Sequence, residues 1–347
     1  MSRRDLDKNK RNYKVIACLF IVIIFVIAVI LTTKKFGVKN VDNAGKNGGN
    51  TVSDSVAPEL NLDVEKTVVA IGENYKVKAT ATDDVDGDIT SRIQHTDIDT
   101  SKAGEYDVTV FVTDNAGNKT EKVQKVIVRE ELQNGLPVLM YHFFYDDIQD
   151  KMDNNCLDIN MFESQLKYMT ENDYYFPTWD EVNDYIDGKF KLPSKSVVLT
   201  VDDGNPTFFM FAVPMLQKYH VPATSFVILD MYPDIYDPTM DYVIWESHSV
   251  NMHQAGANGK GRMVNWTHDQ ILEDLNESSE RLGNANIFCY PFGHYNDTAI
   301  SALKDSPFIM AFTVEGGRVK VGMDKYKLPR VRVSDGNSLD YFIKSIS

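Results

Sequence analysis

Two carboxylates and two imidazoles are the groups in this chain best suited to act together. Thr200-Val201-Asp202-Asp203-Gly204 closes a short apolar run, and His248-Ser249-Val250-Asn251-Met252-His253 follows downstream. Carboxylate and imidazole ligands suit a divalent cation such as zinc, and three of them leave a coordination position open. A fourth group then stays free to serve as a base. The chemistry implied is metal-assisted hydrolysis. Each signal alone is ambiguous, because Asp-Asp-Gly is also an ordinary turn. Histidines five residues apart point roughly 140° away from each other on a regular helix. To share a cation, residues 248–253 must be irregular, or helical with a local bulge.

The surrounding pattern supplies elements to carry these groups. Apolar runs at 136–141, 196–201, 223–229 and 287–290 read as buried strands, while 159–172, 179–186, 209–219 and 271–282 show helical spacing. Such alternation indicates an α/β domain with a largely parallel sheet, an irregular (β/α) barrel over 130–347. In barrels the chemistry collects where strands end. Three strand ends deliver His142, the Asp202-Asp203 pair and the turn Phe292-Gly293-His294. The segment Trp245-Glu246-Ser247-His248 adds the histidines.

Upstream the character changes. Residues 57–129 hold short β-branched runs at 67–71, 75–81, 106–112 and 123–128, separated by Gly/Asn/Asp turns, which indicates a small all-β sandwich. Asp84, Asp86 and Asp88 alternate as calcium ligands can, but a solvated acidic turn is the expected role. Residues 34–56 are rich in Gly, Asn, Ser and Asp and read as a flexible linker. Residues 15–33 are uncharged and apolar; as a helix they would span about 28 Å, close to a bilayer's hydrocarbon core. The basic residues Arg3, Arg4, Lys8, Lys10, Arg11 and Lys14 precede that run. Residues 1–14 are therefore expected in the cytoplasm, and everything after the transmembrane helix outside the cell.

Composition narrows the functional classes. The 347 residues are 43% apolar with a formal net charge of −14, which argues against nucleic acid as a partner. Outside the apolar span only Cys156 and Cys289 occur, so no disulfide framework is expected, and both are expected as free thiols.

Two resemblances follow from these motifs. Residues 81–90 (ATDDVDGDIT), 103–106 (AGEY) and 113–118 (TDNAGN) look like bacterial immunoglobulin-like surface domains. Residues 136–347 resemble the polysaccharide deacetylases with NodB homology, carbohydrate esterase family 4, through Thr200 to Gly204, 219–226 (YHVPATSF), 290–293 (YPFG), 139–142 (LMYH) and 328–333 (LPRVRV). The His248/His253 spacing is similar to a variant in members acting on poly-N-acetylglucosamine and related polymers.

The resemblance implies Asp203, His248 and His253 as ligands of a divalent metal, zinc first, and Asp202 as general base. It also implies stacking aromatics along a groove, for which Tyr141, Phe143, Phe144, Trp245 and Trp266 are available, with Pro291 and Phe292 at the third motif. Two departures stand out: Cys289 occupies the position usually held by an arginine, and no histidine follows His294. Arg330 or Arg332 is expected to replace that arginine, and His142, with His294 second, to supply the acid. The reading is a membrane-anchored extracellular N-deacetylase of an N-acetylglucosamine-containing polymer, either peptidoglycan or exopolysaccharide. A glycan-binding surface protein with a degenerate site is the alternative, and an amidase or esterase on another substrate is a third.

Overall fold

The computed structural model describes residues 54–147, 153 and 155–347. The expected cytoplasmic tail 1–14, the membrane span 15–33 and nearly all of the linker 34–56 lie outside the described residues. Among the described residues, no helix is long and apolar enough to cross a membrane.

The first module is the expected sandwich of two sheets. Strands β1 (Glu59–Leu62), β3 (Ala79–Asp83) and β4 (Gly87–Asp88) form one. Strands β2 (Lys66–Ala70), β7 (Lys119–Arg129), β6 (Gly104–Thr113) and β5 (Gln94–His95) form the other. Alternation places Leu60, Ala81, Val110 and Val112 in one shared core, with Ile89. The run expected as a strand from 75 joins a ladder only at Ala79. Tyr75 instead turns into the core, where its hydroxyl meets Gln124. The acidic turn is braced by protein donors: Asp86 accepts from Arg92 at 2.7 Å and from the Asn115 N–H at 2.8 Å. Contacts with the second module include the Arg129 guanidinium on the Asp173 carbonyl at 2.7 Å and the Lys191 N–H on Glu73 at 2.9 Å.

The second module is a closed barrel of seven parallel strands. In spatial order they are β11 (Val198–Val201), β12 (Ala223–Val227), β13 (Val243–Ser247), β14 (Ile287–Cys289), β15 (Met310–Gly316), β16 (Leu328–Arg332) and β8 (Val138–Tyr141). A small parallel pair, β9 (Phe143–Tyr145) with β10 (Cys156–Asp158), lies beside it. The helices are α1 (Ile159–Glu171), α2 (Trp179–Ile186), α3 (Val213–Tyr219), α4 (His268–Arg281), α5 (Asp297–Lys304) and α6 (Leu339–Ile346). A π-turn, Phe208–Ala212, leads into α3. Capping boxes, Thr178 with Glu181 and Thr267 with Gln270, start α2 and α4.

Val138, Val198, Phe226, Ile287, Phe312 and Leu328 form one packed cluster with Trp179 and Val182 of α2, so this barrel encloses a core and no pore. Strands β13 and β14 pair at one register only, Ser247 with Phe288. Below it the buried Glu246 carboxylate accepts the N–H groups of Asn286 and Ile287 at 2.9 and 2.7 Å. Both Cys156 and Cys289 are free and buried.

Candidate active site

The catalytic face is set by what happens after β11. Asp202 continues the strand direction, its N–H donating to the Tyr141 carbonyl at 3.0 Å. Asp203 then enters the left-handed region at φ 73° and Gly204 follows at φ 65°. Aspartate tolerates that conformation at a cost of about 1–3 kcal/mol. At 204, with φ 65°, an added Cβ would lie 3.1 Å from a Val227 methyl, so glycine relieves both a tight contact and an unfavourable φ. The kink separates two neighbouring carboxylates. Asp202 points into the barrel at 2% exposure, and Asp203 reaches the rim.

Asp202 is held by a buried arginine. Arg330, from β16 and 0% exposed, donates Nη1 to Oδ1 and Nη2 to Oδ2, each at 2.7 Å. Its remaining donors are used as well: Nε on the Thr313 carbonyl at 3.0 Å, Nη1 on Thr200 Oγ1 at 3.0 Å, and Nη2 on Cys289 Sγ at 3.1 Å. Burial alone would push the Asp202 carboxyl up, but the Arg330 guanidinium overrides it and holds the group far below the usual carboxylate range. Burial raises the Cys289 thiol, which stays protonated 3.6 Å from Asp202 Oδ2. Arg330 therefore stands where an arginine was missing from the third motif. Arg332 does not: it sits at the exposed last position of β16 and donates to Asn155 at 2.7 Å.

The rim presents a ligand set. His248 Nε2 and His253 Nε2 each lie 3.5 Å from Asp203 Oδ1. Zinc ligands about 2.1 Å from a tetrahedral ion are themselves about 3.4 Å apart, so the three donors fit such an ion. The Cys289 carbonyl, which can only accept, lies 2.8 Å from His248 Nδ1. The proton is thereby placed on Nδ1, leaving Nε2 for the cation. Residues 248–253 are irregular, with Ser249 at φ 79°, which removes the helical obstacle to five-residue spacing. Burial, then the neighbouring His248, lowers His253 to about 4, so it is a neutral ligand at physiological pH. Burial opposes a charged His248, but the hydrogen bond to Asp203 and the charge of Asp202 favour it, and that ring's pKa is raised; a bound cation would displace the proton. Asp202, His248 and Cys289 also lie close together, yet the Arg330 charge on Asp202 disfavours a cation there.

The other expected residues separate. His142 Nε2 is 3.8 Å from Asp202 Oδ2, and burial lowers its pKa while the two aspartates oppose that. His294 accepts the Gly261 N–H at 3.0 Å and faces an adjoining cleft of about 400 Å³ with Lys260, Tyr295 and Glu315. Phe292 is 44% exposed, at φ 58°, with its ring 4.1 Å from that of His253, as a stacking platform requires. Pro291 is buried beneath it. Tyr141 and Trp245 are corrections. Tyr141 is 1% exposed with its hydroxyl on Gln165 at 2.8 Å; Trp245 stacks on Phe209 and donates to the Asp237 carbonyl at 2.9 Å. Both apolar bodies serve the core, as does buried Phe144. Asn205 and Tyr232 join the site without a signal in the sequence. The Tyr232 hydroxyl bonds Asn205, and burial, then the Asp203 charge, raises its pKa. Nothing in their local sequence distinguishes them.

Both modules are similar to known proteins. Residues 189–311 match the family model described as polysaccharide deacetylase, and residues 60–128 that of the bacterial surface protein Ig-like domain. A poly-beta-1,6-N-acetyl-D-glucosamine N-deacetylase of Staphylococcus aureus is 28% identical over 204 residues, covering 53% of this chain and 70% of that protein. Its Staphylococcus epidermidis counterpart is 28% identical over 193 residues, covering 50% and 66%. Among solved structures, the deacetylase PplD of Streptococcus pyogenes in complex with acetate aligns with a TM-score of 0.54 at 23% identity, over 61% of this chain and 98% of that one. IcaB from Ammonifex degensii aligns with a TM-score of 0.51 at 24% identity, over 62% and 97%. Within the barrel, residues 189–311 thus carry the polysaccharide deacetylase match, preceded by the match to the bacterial surface Ig-like domain over 60–128.

Proposed function

We propose that the protein is a metal-dependent N-deacetylase of an extracellular polymer of N-acetylglucosamine, held at the cell membrane by residues 15–33. The observation that carries the reading is the pairing of an arginine-locked Asp202 with the Asp203, His248 and His253 set on one barrel face. The staphylococcal relatives named for a β-1,6-linked polymer favour an exopolysaccharide over peptidoglycan.

Asp203, His248 and His253 would hold a divalent cation, zinc by donor type, whose Lewis acidity polarises the acetamide carbonyl and acidifies water. The chain's own groups do the rest. Arg330 keeps Asp202 ionised, so that this carboxylate takes the proton of the attacking water. His142, uncharged at rest and 3.8 Å away, receives that proton and passes it to the departing amine nitrogen. The C–N bond breaks, and acetate and a free amino sugar leave. Phe292 offers the sugar ring an exposed face beside His253. Residues 57–129 act as a spacer between the membrane and the barrel.

The test is acetate release by the full-length protein in detergent. Substrates are β-1,6-linked N-acetylglucosamine oligomers, peptidoglycan and an aryl acetate, each with zinc, with chelator and with Asp203→Asn. Metal-dependent release from the β-1,6 oligomers, lost in the variant, is the expected result. Release from the aryl acetate alone would move the reading to an esterase, and no release with no bound metal to a glycan-binding protein.

A further inference from the structure

We propose that Asp274, on α4 and outside the catalytic cleft, is a positioning residue that holds the His248 to His253 loop in its ligating shape. The inference rests on the reading of Asp203, His248 and His253 as cation ligands.

The start of that loop is tied to the chain after β12 by backbone bonds: the His248 N–H donates to the Val227 carbonyl at 3.0 Å, and the Leu229 and Asp230 N–H groups to the Ser249 and Val250 carbonyls at 3.1 and 3.0 Å. The amides of Val250, Asn251 and Met252 are bonded instead by side chains. The Asp274 carboxylate is 6% exposed and engages the middle of the loop with both oxygens: Oδ1 accepts the Val250 N–H and Oδ2 the Asn251 N–H, each at 2.8 Å. One turn along the same helix, Ser278 Oγ accepts a hydrogen bond from Ser247 Oγ at 2.9 Å, fixing the residue before His248. Inside the loop the Ser249 N–H donates to Ser247 Oγ at 3.0 Å, and the Met252 N–H to Ser249 Oγ at 3.1 Å. Val250 and Met252 are buried in the cluster that holds Ile271 and Leu275 of α4. From the other side, Arg262 Nη1 donates to the Asn251 carbonyl at 3.3 Å and to its side-chain oxygen.

The loop is therefore docked on α4 through Ser247, Val250 and Asn251, with His248 between these anchors and His253 two residues beyond them. A carboxylate that bonds two consecutive amides fixes their relative orientation, which one acceptor cannot do. His248 and His253 leave the anchored stretch from opposite ends, so a twist at Val250 and Asn251 separates their Nε2 atoms. Groups that orient ligands in this way typically contribute 10–100-fold in metal affinity. A residue that only satisfied buried amides would leave the affinity of the folded protein unchanged.

The experiment uses full-length protein, with Asp274→Asn as the main variant. The amide keeps the size of the side chain but turns one acceptor into a donor facing an N–H. Zinc affinity is measured by chelator competition and ligand geometry by the visible spectrum of bound cobalt(II), with thermal unfolding recorded alongside. Asp274→Asn should bind zinc 10–100-fold more weakly with an altered cobalt spectrum. Arg262→Met, which releases the loop from the half-buried side, should weaken zinc by a few fold. Unchanged zinc affinity and cobalt spectrum in folded Asp274→Asn would overturn the proposal. If that variant does not fold, unchanged affinity in Arg262→Met would overturn it instead. A wild-type chain that binds neither ion overturns the metal reading itself and this inference with it.

Discussion

Asp202 and Asp203 are the same residue type, adjacent in the chain, yet they sit in opposite settings. Asp202 is buried and neutralised by a bidentate guanidinium. Asp203 stands at the rim with imidazoles rather than a fixed cation beside it. Asp203 is itself in the left-handed region, and that kink sends the two side chains apart. A carboxylate with a permanent buried counter-ion stays ionised and fixed in direction, so it is always ready to accept a proton, at the cost of lower basicity. One facing two imidazoles at the rim is suited to an exchangeable cation. The floor of the site belongs to the barrel core, whereas the rim belongs to loops shaped by side chains.

The largest test of this division is Asp202→Asn, expected to lower acetate release about 10³-fold while zinc binding persists. Loss of zinc in that variant would erase the distinction between floor and rim. Arg330→Met should cost about 3–5 kcal/mol of stability, because it strands a buried carboxylate. Denaturant unfolding measures this, and the double variant with Asp202→Asn should recover part of the loss. His253→Ala, at the rim, should abolish zinc binding yet change the metal-free unfolding free energy by no more than about 1 kcal/mol. A large collapse there would make the histidine loop part of the core.

Between floor and rim, Glu246 gives a pH signature. Burial raises its pKa to about 8, opposed by the N–H groups of Ile287 and Asn286. The unfolded value is about 4.3, so the native chain keeps a proton that the unfolded chain has lost. The contribution of Glu246 to stability is thus greatest below about pH 4 and is lost as pH rises through 8, by an amount on the order of a few kcal/mol. Glu246→Gln should flatten that slope, and an unchanged slope would place the dependence elsewhere. Smallest of all, Arg332→Ala should shift stability by less than about 0.5 kcal/mol, since its side chain bonds only an exposed asparagine.

The elements legible beforehand are those whose local pattern matches their environment. Strands β8, β11, β12 and β14 are short apolar runs, and α1, α2 and α4 are amphipathic, so periodicity finds them. Strand β13 contains Trp245, Glu246 and Ser247, and β16 contains Pro329, Arg330 and Arg332. Both read as polar because their charged groups serve the site. Trp245 misled in the opposite sense, since an aromatic beside a motif resembles a sugar platform until its neighbours Phe209 and Tyr236 are seen.

Residue type and order alone set out the donor chemistry: two carboxylates after a strand, two histidines later, a cysteine where an arginine was wanted, and arginines downstream. Which arginine closes on Asp202 is decided by barrel closure, because β16 lies beside β8, which lies beside β11. Arg330 and Arg332 share a strand, and only their depth within it differs. The histidine loop is likewise held by partners the sequence does not mark, among them the chain after β12 and Asp274, more than twenty residues away. A spacing can name ligands, but the hydrogen bonds that aim them come from distant elements, which only the folded chain brings into contact.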